Sequence, residues 1–143
     1  MEEIRFERFT LLIEGIHKSI NKLKLMNVPS LGIKSVHVFW LYQLSRHPEG
    51  MSAAELAIAS MIDRSLVSRE IKALKGGGYI SVAKGRRYVL TDSGKELAAR
   101  IYEIVKEIQR EADISITEAE LESFYSTLMK LNDNFNTIIE KYQ

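Results

Sequence analysis

Cysteine is absent from the 143 residues, which excludes disulfides, thiolate metal sites and thiol redox sensing, and fits a reducing compartment. Proline occurs only twice, at Pro29 and Pro48, and each punctuates the end of a helical stretch. No apolar run approaches the ~20 residues of a membrane span. The first ten residues carry Glu2, Glu3 and Glu7, unlike a secretory signal, so the expectation is a cytoplasmic protein with no membrane partner. Histidine is scarce: His17, His37 and His47 are the only three, and His37 and His47 fall on different helix faces, so no metal is expected. Catalytic signatures are missing too. The glycine run 76–78 follows a helix rather than linking strand to helix, no His-Glu metal motif occurs, and nothing gathers Ser, His and Asp. Neither an enzyme nor a bound cofactor is expected.

Hydrophobic residues make up 45% and charged residues 27%, the balance of one globular domain that buries on the order of 70% of its unfolded surface. The formal charge of +1 is a near-cancellation. Residues 61–90 hold seven Lys/Arg against two Asp/Glu, whereas residues 91–143 hold six against eleven. Such segregation bears on partners rather than on fold, although a solvated surface can also be segregated without purpose.

Along the chain, Phe9, Ile13, Ile16, Ile20 and Leu23 alternate at spacings of four and three, which predicts an amphipathic helix over residues 5–26. Residues 33–46 are apolar on most sides and predict a central buried helix ended by Pro48 and Gly50. Ser52-Ala-Ala-Glu55 is a capping box opening a helix of about two turns. Asp63 is placed to cap the next helix, which Gly76-Gly77-Gly78 stops. Two helices so close together make a helix-turn-helix. Residues 79–90 then alternate around Lys84-Gly85 as a β-hairpin. Thr91 caps a fifth helix, and the capping box Thr117-Glu-Ala-Glu120 opens a sixth with Leu121, Phe124, Leu128, Leu131, Phe135 and Ile138 on one stripe.

At roughly 100° per residue, the helix over 63–75 puts Val67, Ile71 and Leu74 on one side. Ser65, Ser68, Arg69 and Lys72 lie opposite, Arg64 and Lys75 flank them, and Glu70 falls away. A face of small hydroxyls and long cations suits major-groove reading: small side chains permit close approach, an arginine can bridge guanine O6 and N7, and lysines and hydroxyls meet phosphates. An ordinary solvated face is the plain alternative. Lys84, Arg86 and Arg87 crowd the hairpin tip, which suits backbone tracking or a minor groove. Protection of a sheet edge from pairing is the alternative, and it explains a single lysine better than three cations within four residues.

The order helix, helix-turn-helix, hairpin and two long helices resembles the MarR family of transcription regulators, over nearly the whole chain. The most specific segments are Ser52-Ala-Ala-Glu-Leu-Ala57, Asp63-Arg-Ser-Leu-Val-Ser-Arg69, Leu74 to Ile80 and Leu90-Thr-Asp-Ser-Gly94. Three features depart from the family pattern: a short wing without Asp-x-Arg, Met61 where a glycine often stands, and the triple glycine itself.

The resemblance implies a mainly α fold with a small β-hairpin wing, a winged helix-turn-helix flanked by N- and C-terminal dimerisation helices. Its segments would be 1–30 for dimerisation, 31–94 for DNA binding and 95–143 for dimerisation. It implies a homodimeric regulator, a repressor or an activator, acting on a pseudo-palindromic operator in double-stranded DNA. Arg64, Ser65, Ser68, Arg69 and Lys72 would form the recognition surface and Lys84, Arg86 and Arg87 the wing contacts. Phe9, Ile13, Ile16, Leu121, Phe124, Leu128, Phe135 and Ile138 would build the dimer, since a core of about 60 residues cannot cover two such long stripes. Packing of the stripes on each other within one chain is the alternative. Family members often release DNA on binding a small aromatic or lipophilic effector, for which His17, His37, Trp40 and Tyr42 are the candidate lining. The rival to all of this is a winged helix serving as a protein-interaction module without sequence-specific DNA binding.

Overall fold

Local signals set most element boundaries in the computed structural model, which describes residues 4–143. Helix α1 spans Arg5–Asn27, and a 3-10 turn at Pro29–Leu31 leads to α2, Ser35–Arg46. Helices α3 (Ala53–Ser60) and α4 (Arg64–Gly76) form the helix-turn-helix. They are followed by strands β1 (Ile80–Ala83) and β2 (Arg87–Leu90), then α5 (Asp92–Ala112) and α6 (Glu118–Lys141). This is the mainly helical, winged architecture expected from the sequence. The chain divides into two compact units, one running to Ile104 and one of Val105–Gln143, with the division inside α5.

Both capping boxes form. Ser52 Oγ accepts from the Glu55 amide at 3.1 Å while Glu55 accepts from the Ser52 amide, and Thr117 and Glu120 repeat the exchange. Thr91 Oγ1 accepts from the Gly94 amide at 3.1 Å and holds the start of α5. Asp63 differs from expectation: it occupies the N-cap position of α4, but its side chain makes no capping bond, and its carbonyl receives the Leu66 and Val67 amides. Met61 ends α3 in the left-handed region (φ 55°, ψ 42°), the conformation for which glycine is the natural choice. Methionine thus stands at this turn in a backbone conformation suited to glycine.

The core lies in the first unit. Trp40 and Leu41 of α2 and Leu56 of α3 are fully enclosed, joined by Val67, Ile71 and Leu74 of α4, Ile80 of β1, and Leu97, Ala98 and Ile101 of α5. The Trp40 indole N–H is satisfied by Ser60 Oγ at 3.2 Å, so α2 and α3 are joined by a polar contact as well as by packing. Gly94 seats α5 against the hairpin: a Cβ there would stand 1.9 Å from the Tyr79 carbonyl oxygen.

The hairpin pairs Ile80 with Leu90 through to Ala83 with Arg87, around a turn in which Gly85 and Arg86 both have positive φ. Its second strand is also anchored on its other edge. Met51 and Tyr88 exchange both backbone hydrogen bonds, at 3.0 and 2.8 Å. Gly50 (φ 87°) allows this approach, since a Cβ would lie 2.8 Å from the Tyr88 carbonyl oxygen.

The second unit comprises the end of α5 and α6. Within it Leu121, Leu128, Leu131 and Phe135 are half-buried, while Phe124 and Ile138 are exposed. Helix α1, in the first unit, buries none of its residues. Phe9 is half-buried, and Ile13 and Ile16 are exposed.

Candidate nucleic-acid interface

Helix α4 is oriented by its apolar side. Val67, Ile71 and Leu74 insert into the core, which turns Arg64, Ser65, Ser68, Arg69 and Lys72 together into solvent, with Lys75 beside them. All five recognition residues named from the sequence therefore stand on one exposed face. The helix has a single acid, Glu70, and it is occupied elsewhere: Lys34 Nζ lies 3.0 Å from its carboxylate, while Arg69 Nε approaches only to 3.9 Å. The hydrogen bond from Lys34 holds the Glu70 carboxyl below the usual carboxylate range. Within α4 itself the cationic face thus has no acid other than Glu70, whose nearest cation is Lys34.

His37 fixes this helix from behind. The Lys34 amide donates to Nδ1 at 3.1 Å, so the ring proton resides on Nε2, which donates to the Glu70 carbonyl at 3.0 Å. Burial pushes the His37 pKa below the ordinary imidazole value, with the Glu70 backbone acting in the opposite direction. A neutral imidazole of one tautomer therefore pins the start of α2 to the middle of α4.

The three hairpin cations are not equivalent. Lys84 and Arg86 are exposed at the turn. Arg87 is engaged: both Glu55 carboxylate oxygens accept from its guanidinium, at 2.9 and 3.2 Å, and the Gly50 and Glu49 carbonyls accept at 2.7 and 3.3 Å. Sequence reasoning groups Arg87 with its neighbours and reads Glu55 only as a cap. Nothing in local spacing signals a pair separated by 32 positions.

The four residues considered for an effector are not brought together. His37 and Trp40 are core residues at 2% and 0% exposure with their ring nitrogens bonded. His17 lies exposed on α1, where its Nε2 pairs with the Asn21 amide at 3.1 Å. Tyr42 alone borders a cavity, of about 680 Å³, walled also by Pro48, Leu90, Ala98 and Tyr102 with Lys95 at its edge. Among the described residues no group of His, Asp or Glu could hold a metal ion, and no helix is long and apolar enough to cross a membrane.

A buried three-helix core, a paired hairpin and an exposed cationic second helix define a winged helix-turn-helix fold. Solved structures place that fold more narrowly. The chain is similar to NMB1585, a MarR family regulator from Neisseria meningitidis (18% identity, TM-score 0.83, 99% of this chain and 100% of that one). It is also similar to a MarR family transcriptional regulator from Silicibacter pomeroyi (24% identity, TM-score 0.75, 86% of each chain). A third likeness is to MepR of S. aureus in complex with DNA (20% identity, TM-score 0.79, 89% and 96%). No protein-family model and no curated protein matches the chain. What these likenesses establish is the fold, which is that of MarR-family regulators.

Proposed function

We propose that this chain is a sequence-specific, double-stranded-DNA-binding transcriptional regulator, working as a homodimer on a pseudo-palindromic operator in the cytoplasm and without enzymatic activity. The observation that carries the reading is the exposed face of α4, where two hydroxyls and three cations stand together while the helix's one acid is held by Lys34. In this reading Arg69, Ser65 and Ser68 meet base edges, and Arg64, Lys72, Lys84 and Arg86 meet phosphates. The same fold in a solved protein–DNA complex supports it. The exposed apolar residues of α1 and α6 support dimerisation, because a second copy would cover them. A two-fold axis would then present two copies of α4 about 34 Å apart, one turn of duplex. The cavity beside Tyr42 is the place we assign to a small aromatic or lipophilic effector that releases DNA.

The test is selection of the preferred duplex from a random-sequence pool by the purified protein, followed by affinity measurements on the winner. The expected product is a two-fold-symmetric site. Arg69→Ala should cost about 1–3 kcal/mol of binding and relax the preference at one position per half-site, while Lys72→Ala should weaken all sequences alike. A pool that shows no enrichment, with tight binding to a protein partner instead, contradicts the reading and favours an interaction module.

A further inference from the structure

The wing of this protein is short, and its second strand begins with a charged residue that never reaches the tip. Arg87 donates from all three guanidinium nitrogens, to the two oxygens of Glu55 and to the Gly50 and Glu49 carbonyls. The Glu55 carboxylate is at the same time the acceptor for the Ser52 amide, so one side chain both caps α3 and holds the wing. Around this fork the backbone of residues 49–51 is bonded to β2 through the Met51–Tyr88 exchange, at a separation that only a glycine at position 50 permits. The helix-turn-helix and the wing are therefore tied at one node, where a planar guanidinium meets a carboxylate in the geometry that lysine cannot reproduce.

We propose that Arg87 is a positioning residue: its fork with Glu55 sets the wing against the start of α3, and thereby sets where Lys84 and Arg86 meet the duplex, without Arg87 itself neutralising a phosphate. The proposal rests on the DNA-binding reading above. It makes an unusual demand on charge. Removing the negative charge of Glu55 ought to strengthen binding to a polyanion if Arg87 were a phosphate contact, because the guanidinium would be released toward it. As a positioning pair, the loss of Glu55 must instead weaken binding.

The experiment uses the full-length protein and its selected duplex, with E55Q, R87Q, R87K and the double variant E55Q/R87Q. Glutamine at position 55 can still accept the Ser52 amide, so the cap of α3 survives. E55Q and R87Q are each expected to lower affinity by roughly fivefold, the upper end for a partly exposed pair, and the double variant should be no worse than either alone. R87K should lose as much as R87Q. A displaced wing loosens the Lys84 and Arg86 contacts, so E55Q and R87Q should flatten the slope of log affinity against log salt to the same extent, whereas a phosphate contact made by Arg87 itself would flatten it in R87Q alone, by about 0.9 per copy. Tighter binding by E55Q, or a slope flattened in R87Q but not in E55Q, overturns the proposal. Amide hydrogen exchange on the free proteins gives a second readout. The Met51 and Tyr88 amides should exchange faster in E55Q and R87Q while those of α4 do not change, and unchanged exchange at both positions also overturns it. Should the wild-type protein bind no duplex at all, the DNA reading fails by that result, and the exchange measurement alone decides whether the fork holds the wing.

Discussion

Met61 and Gly94 show how much one side chain decides in this fold. Met61 holds a left-handed backbone at the turn between the two helices of the motif, is 89% exposed and sacrifices nothing in packing. A non-glycine residue there costs roughly 1–2 kcal/mol in local sterics, so Met61→Gly should stabilise the protein by about 0.5–1 kcal/mol after the entropy of the new glycine is counted. Gly94 has the opposite character. Its backbone is ordinary helix, but a Cβ would strike the Tyr79 carbonyl, and a carbonyl that already accepts from the Thr91 amide cannot move aside cheaply. Gly94→Ala should therefore cost about 3 kcal/mol, the upper end for overpacking. Urea denaturation of both variants checks the pair: opposite shifts in midpoint are expected, and a Gly94→Ala midpoint equal to wild type would contradict the seating of α5 on the hairpin.

Between elements, the link from α2 to α4 makes stability depend on pH in a stated direction. The folded protein keeps His37 neutral, so its pKa lies below the 6.5 of an unperturbed imidazole. The unfolded chain then binds the proton first. Stability is full above pH 6.5 and falls as the pH drops from there toward the lowered folded value. Denaturation midpoints taken between about pH 7.5 and 5.5 should fall, and a His37→Gln variant should lack that fall. A midpoint that rises on acidification would refute the tautomer assignment. A separate loss follows at lower pH. Glu49, Glu55 and Glu70 all titrate below 4.5 in the fold, the first two through bonds from backbone amides and the third through Lys34. Their contribution is present above 4.5 and disappears as pH falls through the lowered values.

The same elements show what a sequence can and cannot disclose. Ser52-Ala-Ala-Glu55, Thr117-Glu-Ala-Glu120 and the Val67, Ile71, Leu74 stripe are legible because each is complete within a few residues. From them follow the helix-turn-helix and the outward face of α4, and the hairpin follows as locally from the alternation of residues 79–90 around Lys84-Gly85. Lys34 with Glu70, and Arg87 with Glu55, join residues 36 and 32 apart, and no periodicity encodes such a meeting. Gly50 reads as a helix stop next to Pro48, although its work is to admit the second strand of the wing. His37 and Trp40 suggest ligand chemistry by residue type, while burial and bonded nitrogens make them core.

At the scale of the whole molecule, apolar surface is the unbalanced quantity. Phe6, Leu11, Leu12, Ile13 and Ile16 of α1, and Phe124, Tyr125, Met129 and Ile138 of α6, are all more than a third exposed. Truncation before Leu121 should convert the proposed dimer to a monomer in sedimentation velocity, and a truncated chain that still sediments as a dimer would place the interface elsewhere. Charge is the other whole-molecule property. The basic stretch at residues 61–90 coincides with α4 and the hairpin, so its excess of cations is concentrated on the elements assigned to DNA while α5 and α6 carry most of the acid.

Salt dependence of duplex binding reads that concentration of charge most directly. A dimer that sets Arg64, Lys72, Lys84 and Arg86 of both copies on phosphates should lose roughly 10³-fold or more in affinity between about 50 and 200 mM salt, with a log–log slope near −0.9 per phosphate neutralised. Duplex affinity that holds constant across this range would mean that the exposed face of α4 does not meet a polyanion and that the protein is not a DNA-binding regulator of this kind.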